Sequence, residues 1–209
     1  MSLMIMIDHD HKFIFVHIPK TAGTSMEAAL SNAWKNPQKY FVGKNNHLDV
    51  APASCPATHF SIKEILKVHP EAQDYFKFCF VRNTWDRLLS AYMFRHHHRL
   101  MARRRKYKSL KGFIENDGQT GNPHTHSQLK FILGDNGKIN MDFIGRYENL
   151  ENDFKTVCDR IGIQRQLPHH KPTKHEHYSR YYDEETIDLV YKKYKEEIEY
   201  FDYKFDNSV

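Results

Sequence analysis

Residues 13–25 read Phe-Ile-Phe-Val-His-Ile-Pro-Lys-Thr-Ala-Gly-Thr-Ser, and their pattern is the most informative feature of the sequence. Its first part, Phe13 to Ile18, is an apolar run rich in β-branched and aromatic residues, which predicts a buried strand. Pro19 ends the run because proline cannot donate to a sheet ladder. Gly23 permits a tight backbone, and residues 24–25 (Thr-Ser) are of the type that begins a helix. The stretch therefore predicts a strand, a short loop and a helix.

This loop has the features of an anion-binding site. The N–H groups at the start of a helix lack partners within the helix, and the helix dipole favours negative charge there. Lys20 adds a full positive charge, and the side chains of Thr21, Thr24 and Ser25 add hydroxyl groups. The loop is not the ATPase type, which requires G-x-x-x-x-G-K-[ST], because here the lysine precedes a single glycine.

A second segment has the same organisation. Residues 76–81 (Phe-Lys-Phe-Cys-Phe-Val) predict another buried strand, and residues 82–92 (Arg-Asn-Thr-Trp-Asp-Arg-Leu-Leu-Ser-Ala-Tyr) follow it directly. Together, residues 17–25 and 81–92 resemble the two nucleotide-binding motifs of the sulfotransferases that use PAPS (3′-phosphoadenosine 5′-phosphosulfate), most closely the carbohydrate-type branch with its short soluble bacterial relatives. The resemblance extends through residues 142–150 and 201–205. The family usually has proline where Thr84 lies, and Thr84 is expected to cap the helix instead.

The resemblance implies a donor site in two parts. Lys20, the hydroxyls of the first loop and the backbone of residues 21–25 (Thr21, Ala22, Gly23, Thr24, Ser25) are expected to bind the 5′ end of PAPS. Lys20 is also expected to stabilise the charge that develops on the leaving group. Arg82, at the carboxyl end of the second strand, and Ser90, in the following helix, are expected to bind the 3′-phosphate.

The acceptor hydroxyl requires a general base, and His59 is the best candidate. A capping box at residues 61–64 (Ser-Ile-Lys-Glu), with Phe60 and Ile65 as a hydrophobic staple, predicts a helix over residues 62–68 and fixes the chain just after His59. Related polysaccharide enzymes carry a catalytic histidine in the matching segment. The chain has fifteen histidines, however, and a structural or acceptor-contacting role for His59 remains the alternative.

Two later segments are weaker candidates. Residues 124–128 resemble a pocket-lining stretch, which makes His124, His126 and Gln128 candidate contacts to the acceptor, Gln128 also to the nucleotide. Residues 171–178 resemble the late family loop that closes over the nucleotide, with Lys174 and Tyr178 as candidates, although an exposed loop is nearly as good an interpretation.

The basic run at residues 95–108 (Arg-His-His-His-Arg-Leu-Met-Ala-Arg-Arg-Arg-Lys-Tyr-Lys) is interpreted either as a solvated helix end or as a rim that attracts an anionic acceptor. Two alternative functions stay open, a P-loop-like kinase and a non-catalytic binder of polyanions or nucleic acid through this basic run. Against a kinase, the chain lacks the Gly-Lys-Ser/Thr triplet. Against a nucleic-acid binder, the basic run has few aromatic residues for base stacking. No His or Cys set has zinc spacing, so we expect no metal.

Composition indicates one ordinary globular domain over residues 1–209, with 40% hydrophobic and 27% charged residues and a net charge of +5, which fits a protein that handles anions. No run has the length of a membrane span, and the first residues do not resemble a signal peptide. The three cysteines (Cys55, Cys79, Cys158) favour reduced thiols, and we expect a cytoplasmic protein.

The remaining periodicity completes the fold prediction. We expect a helix from Trp85 through Tyr92 or beyond, a short helix over 125–133, and a strand over 143–147. Leu150, Phe154, Val157 and Ile161 recur at helical spacing before Gly162, and Asp183 caps a last helix. Alternating strands and helices predict an α/β, three-layer P-loop-like fold with a mainly parallel central sheet flanked by helices.

Overall fold

A computed structural model describes residues 6–30, 59–97, 107, 109–117, 122–168 and 176–207. The strands are β1 (Met6–Asp8), β2 (Phe13–Val16), β3 (Phe76–Val81) and β4 (Phe143–Arg146). The helices are α1 (Gly23–Leu30), α2 (Ile62–Val68), α3 (Thr84–His97), α4 (Leu110–Asp117), α5 (Leu129–Ile132), α6 (Leu150–Ile161) and α7 (Glu184–Tyr200).

The described residues belong to two compact units. The first unit falls within residues 1–81 and 128–170, and the second within residues 82–127 and 171–209. The first therefore contains the sheet with α1, α2, α5 and α6, and the second contains α3, α4 and α7. One domain over residues 1–209 stays a prediction.

The sheet of the first unit has the order β1-β2-β3-β4. β1 pairs with β2 antiparallel, whereas β2, β3 and β4 are parallel, with Phe15 opposite Phe78 and Phe78 opposite Phe143. The predicted mainly parallel sheet is therefore confirmed. β2 ends at Val16, two residues before the predicted end, because the Ile18 N–H donates to the Val16 carbonyl at 3.1 Å and turns the chain out of the sheet.

One face of the sheet packs against α1 and α6. Alternate strand residues, among them Phe15 and Phe78, lie on this face because successive side chains of a strand point to opposite sides. They form one apolar core with the buried residues of the two helices: Met6, Phe13, Phe15, Phe78 and Phe80 from the strands, Met26, Ala29 and Leu30 from α1, and Phe154, Val157, Cys158 and Ile161 from α6.

The opposite face is buried as well. Ile14 and Val16 of β2, with Cys79 and Val81 of β3, have no exposed surface. Both faces of the sheet are thus covered, as in a three-layer α/β fold. Burial raises the pKa of the Cys79 thiol, which agrees with the predicted role of Cys79 as core.

Gly145 of β4 is required by the packing of the neighbouring strand. A Cβ atom at this position would lie 2.5 Å from the ring of Phe80, which is opposite it in the register. Any residue other than glycine would bring its Cβ atom into conflict with this ring. Glycine at position 145 therefore allows β4 to pair with β3 beside the large Phe80 side chain.

Three helix ends agree with the sequence signals. The Ser61 hydroxyl and the Glu64 carboxylate form both bonds of the capping box of α2. Gly162 ends α6 in the left-handed conformation, with φ 72°. Asp183 accepts the Thr186 N–H at 2.8 Å and caps α7. These local signals predict well because each bond joins groups within a few residues.

Two helix predictions need correction. α1 begins at Gly23, so Thr24 and Ser25 lie inside its first turn rather than before it. The helix predicted over 125–133 is split into a 3-10 turn at Pro123–Thr125 and a short α5 at Leu129–Ile132.

In the second unit, Asn83 and not Thr84 caps α3. The Asn83 side-chain oxygen accepts the Trp85 N–H at 3.1 Å, while Thr84 is the first helical residue. The Thr84 hydroxyl instead donates to the carboxylate of Glu197 on α7 at 2.8 Å, and both side chains are fully buried. The threonine at the usual proline position thus connects two helices.

The same buried carboxylate faces Arg87, which has no exposed surface. Arg87 Nη2 lies 3.6 Å from Glu197 Oε1, and the guanidinium also donates to the carbonyls of His124 at 3.2 Å and His126 at 2.9 Å. Removing one partner of such a buried pair typically costs about 3–5 kcal/mol, because the other charge is left uncompensated. Arg87 therefore fixes the backbone at His124 and His126.

Candidate functional site

The loop between β2 and α1 has an unusual backbone. Lys20 and Ala22 have φ angles of 69° and 68°, in the left-handed region that non-glycine residues rarely adopt. Each such residue costs on the order of 1–3 kcal/mol and persists where its surroundings enforce it, often at functional sites. Left-handed residues alternating with others turn successive N–H groups toward a common centre, the arrangement that binds anions.

The first turn of α1 completes this loop. The N–H groups of Ser25 and Met26 both donate to the Ala22 carbonyl, at 2.9 and 3.1 Å. The preceding N–H groups, at Gly23 and Thr24, stand at the positive end of the helix, outside its hydrogen-bond ladder. We name residues Lys20–Ser25 the anion loop, because its backbone and its lysine favour a negatively charged ligand.

The hydroxyls of the anion loop divide into two kinds. Thr21 is fully buried, and its hydroxyl donates to the Ile18 carbonyl at 2.9 Å. In this arrangement the one proton of the Thr21 hydroxyl closes the loop, and its contact with a phosphate stays a prediction. Thr24 is exposed and Ser25 is half-buried, so their hydroxyls stay candidates for a phosphate contact.

Gly23 is needed for a reason that the sequence did not reveal. Its φ is not positive, but a Cβ atom there would lie 2.0 Å from the His17 imidazole. The glycine thus admits the ring of His17 against the first turn of α1. The left-handed angles expected of a tight loop fall on Lys20 and Ala22 instead.

His59 lies beside the same loop. Its Nδ1 is 3.1 Å from the His17 carbonyl oxygen, which can only accept, so Nδ1 carries the proton. The neutral ring then has its lone pair on Nε2, as a general base requires. The ring of His59 also meets the ring of His17 edge to face, with centroids 4.6 Å apart.

The electrostatic surroundings keep His59 neutral. The residue is 8% exposed, and this burial, with the charges of His17 and Lys20, lowers the pKa of His59 from 6.5 to about 3. The hydrogen bond to the His17 carbonyl acts in the opposite direction but is outweighed. The structure therefore brings Lys20 and His59, the two predicted catalytic residues, into one electrostatic environment.

His17 and Glu27 form a pair that the sequence did not predict. His17 Nδ1 donates to Glu27 Oε1 at 2.7 Å, and each side chain is 12% exposed. The two residues are ten positions apart, in a loop and a helix, and no periodicity connects such positions. Only the fold brings them together.

In the second unit, Arg82 is the first residue after β3 and is largely buried. Its Nε donates to Asp86 Oδ2 at 2.7 Å, one helical turn further on. This charged bond fixes the plane of the guanidinium. Ser90 lies further along α3 and is half-buried. Their contact with a 3′-phosphate stays a prediction, whereas the Arg82–Asp86 spacing of four is a signal that sequence analysis could have used.

The candidate acceptor residues differ in accessibility. His124 and His126 are half-buried in the second unit, and their carbonyls are bound by Arg87. Gln128, in the first unit, has no exposed surface and is the least favoured contact of the three. All three stay predictions.

The late-loop candidates have separate outcomes. Lys174 lies outside the described residues. Tyr178 is buried, its hydroxyl accepts the Asp206 N–H at 2.7 Å, and its ring packs edge to face against Phe205. Tyr178 thus anchors the C-terminal segment, and its nucleotide contact stays a prediction. Most of the basic run at 95–108 also lies outside the described residues.

Among the described residues, no cluster of three or more His, Cys, Asp or Glu side chains is placed to bind a metal ion. Within the same part of the chain, no helix has both the length and the apolar character needed to cross a membrane. The cysteines at 79 and 158 are free thiols, and Cys55 lies outside the described residues.

Comparison with known sequences identifies the class of protein. The sequence model of the sulfotransferase family matches residues 3–204. The chain therefore belongs to the sulfotransferase family, in agreement with its α/β fold and mostly parallel sheet.

Named relatives narrow the class. The chain is 25% identical over 196 residues to carbohydrate sulfotransferase 11 of Mus musculus, an alignment covering 76% of this chain and 53% of the relative. It is 26% identical over 185 residues to carbohydrate sulfotransferase 14 of Danio rerio, covering 76% and 48%. An uncharacterized protein of Archaeoglobus fulgidus is 30% identical over 104 residues, covering 44% of this chain and 72% of that protein. The chain spans about half the length of the two carbohydrate sulfotransferases.

Proposed function

We propose that the protein transfers the sulfuryl group of PAPS to a hydroxyl of a carbohydrate or a related acceptor, with His59 as general base and Lys20 stabilising the leaving group. The observation that carries the proposal is the position of His59. Its proton-bearing nitrogen is held by the carbonyl of His17, three residues before Lys20. A base with a defined lone pair therefore lies beside the loop that is proposed to bind the 5′ end of the donor.

The anion loop fits the 5′ end of the donor. Lys20 and Ala22 have left-handed φ angles, the kind of backbone that can present N–H groups to an anion, and the helix N-terminus and Lys20 add positive charge. The hydroxyls of Thr24 and Ser25 extend this set of donors. Such preorganised donors stabilise charge in the transition state without reorganising, which is often the largest contribution to catalysis.

Each residue has a defined part in the proposed reaction. PAPS supplies a sulfuryl group bonded through oxygen to a phosphate, and this S–O bond breaks as the acceptor oxygen bonds to sulfur. His59 Nε2 takes the proton of the acceptor hydroxyl. Lys20 faces the negative charge that develops on the departing phosphate oxygen, so that 3′-phosphoadenosine 5′-phosphate (PAP) leaves.

The second unit supplies the residues proposed for the 3′-phosphate. Arg82 is oriented by Asp86, and an oriented guanidinium binds phosphate through two parallel bonds. Ser90, on the same helix, adds a hydroxyl. The carbohydrate acceptor is inferred from the two carbohydrate sulfotransferases similar to this chain. His124 and His126 are retained as candidate acceptor contacts, and the cytoplasmic location stays a prediction.

The test is a transfer assay with ³⁵S-labelled PAPS and a panel of neutral and acidic polysaccharides. We expect label on at least one polysaccharide with the wild type and almost none with His59→Ala. His69→Ala is the matched control, because His69 is an imidazole of the same unit that pairs with Glu71 outside the anion loop. Failure of the whole panel, combined with failure of the protein to bind PAP, would overturn the proposal.

A further inference from the structure

The imidazole of His17 is enclosed on several sides within the first unit. Glu27 accepts its Nδ1 proton at 2.7 Å, and the Phe15 ring lies nearly parallel to it, with centroids 6.0 Å apart and planes at 19°. The backbone of Gly23 closes a third side, since a Cβ atom there would lie 2.0 Å from the ring. His59 meets the ring edge to face. A side chain with these neighbours has one orientation.

The charged bond of this pair is shielded from water. Glu27 and His17 are each 12% exposed, so their hydrogen bond competes little with solvent. Bonds to a charged acceptor are about twice as strong as neutral ones. Glu27 itself is fixed by α1, whose first turn forms part of the anion loop. The carboxylate therefore ties the ring of His17 to the same helix that forms the anion loop.

His17 in turn contacts His59 in two ways. Its backbone carbonyl accepts the Nδ1 proton of His59 at 3.1 Å, and its ring packs against the ring of His59. The first contact selects the tautomer of His59, and the second limits rotation of its ring. Because one residue makes both contacts, a shift of His17 changes the tautomer and the direction of His59 together.

We propose that Glu27 and His17 are positioning residues for His59: the carboxylate fixes the His17 ring, and His17 holds the His59 ring with its lone pair on Nε2. The inference rests on the proposed function, which assigns His59 the role of base. Neither residue touches the reacting atoms. The arrangement acts through His59, as outer-shell partners do when they orient a ligating or catalytic imidazole.

The test uses long-range ¹H–¹⁵N correlation spectra of ¹⁵N-labelled protein, which report the tautomer of each histidine without an acceptor. In the wild type we expect His59 with its proton on Nδ1. In Glu27→Ala we expect a mixture of both tautomers. Glu27→Gln retains an oxygen acceptor, and we expect it to restore most of the wild-type tautomer. Glu71→Ala removes the carboxylate of an exposed pair with His69 and is the matched control, with no expected change at His59.

His17→Ala removes the ring that Glu27 holds, so the carbonyl at position 17 is no longer fixed in place, and this variant replaces Glu27→Ala if Glu27→Ala does not fold. A wild-type tautomer of His59 in either folded variant would overturn the proposal, as would a wild-type protein whose His59 carries its proton on Nε2. Thermal stabilisation by PAP is measured in parallel, and we expect it in the wild type and in Glu27→Ala alike. Its absence from the wild type would count against the proposed function and leave the NMR result to decide the positioning.

A kinetic measurement follows once an acceptor is known. Loss of an outer-shell partner typically costs about 10–100-fold in activity. We therefore expect Glu27→Ala to lower kcat by about tenfold, with PAP affinity close to that of the wild type. A change confined to KM, with kcat unaltered, would contradict a positioning role.

Discussion

The two strand-to-helix turns that carry the predicted donor contacts are built differently. Between β2 and α1, residues 17–22 form a loop with two left-handed residues. Between β3 and α3, residues 82–83 form a short turn in which Asn83 caps the helix and Asp86 pairs with Arg82. In the first turn the proposed binding groups belong mainly to the backbone. In the second, internal partners fix a single arginine.

The two constructions imply different ways of recognising an anion. A backbone loop at a helix N-terminus surrounds a phosphate or sulfuryl group and suits the place where charge develops. A capped helix has already satisfied part of its N-terminus, so recognition falls on the guanidinium. We therefore expect changes in the first turn to affect turnover and changes in the second to affect donor affinity.

The largest effect is expected from His59, beside the first turn. A positioned general base contributes about 10²–10⁴-fold, so His59→Ala should lose turnover on that scale and bind PAP almost normally. His59→Asn, which cannot take the proton, should be nearly as poor. Initial rates with labelled PAPS, together with calorimetric PAP binding, check the prediction. Turnover close to wild type in His59→Ala would remove His59 from the mechanism and direct attention to His124 or His126.

The acid limb of the pH profile sharpens the same assignment. The pKa of His59 is lowered to about 3, below its unfolded value of 6.5, so the ring stays an unprotonated base well below pH 6.5. We expect kcat/KM, which reports the unliganded enzyme, to show no loss assignable to His59 between pH 7 and about pH 5. The same shift makes the stability of the fold depend on pH. Below pH 6.5 the unfolded chain takes up a proton that the native His59 ring does not, so the free energy of unfolding falls as the pH falls. His59 should therefore cost up to about 1.4 kcal/mol per pH unit there, and His59→Ala should lose this acid sensitivity in denaturant titrations.

Lys20 should have the next largest effect. Removing one preorganised donor to a developing charge costs about 10²–10³-fold in kcat, so Lys20→Ala should reduce turnover more than PAP affinity. Single-turnover rates and calorimetry separate the two quantities. An equal loss of turnover and of PAP affinity would show that Lys20 contacts the phosphate only in the ground state. The β2–α1 turn, like the β3–α3 turn, would then contribute to donor affinity and not to turnover.

Arg82 tests the second turn. Arg82→Ala should weaken PAP by roughly tenfold to a hundredfold, since a hydrogen bond to a charged group contributes about 1.5–3 kcal/mol. Adenosine 5′-phosphosulfate lacks the 3′-phosphate, and its binding should change much less. Arg180→Ala, at an exposed arginine paired with Glu176, is a suitable control. Equal losses for both nucleotides would refute the 3′-phosphate contact.

The smallest effects are expected in stability. Asn83→Ala removes the cap of α3 and should cost about 1 kcal/mol. Gly23→Ala places a Cβ atom against the His17 ring and should cost about 1–3 kcal/mol. Denaturant unfolding measures both. Gly23→Ala should also lower turnover, whereas Asn83→Ala should not, and the reverse pattern would contradict the contrast between the turns.

The sequence predicted the features that depend on residues close together in the chain and missed those that depend on residues far apart. The capping box at Ser61 and the left-handed Gly162 depend on neighbours a few residues away, and both were confirmed. The cap of α3 was wrongly placed on Thr84, because nothing local shows that its hydroxyl binds Glu197 on a distant helix.

The candidate site follows the same rule. The motifs indicated Lys20 and His59. They did not indicate the contact of His59 with the His17 carbonyl or that of Glu27 with the His17 ring, because only the fold brings these groups together. The role of Gly23 was also hidden, because the conflict is with a side chain six residues earlier and not with its own backbone angles. Contacts across the fold carry no periodicity, so sequence patterns do not reveal them.

The loop between β2 and α1 is proposed to bind the 5′ end of a 3′,5′-bisphosphorylated nucleotide, and calorimetry with PAP, ATP and duplex DNA is the direct test. In the presence of EDTA, we expect PAP to bind with a stoichiometry near one and to stabilise the fold thermally, with ATP much weaker and DNA without effect at moderate salt. Tight binding of ATP only with magnesium would indicate a kinase, and tight binding of DNA without PAP a polyanion binder. Either result would contradict the proposed transfer of a sulfuryl group from PAPS.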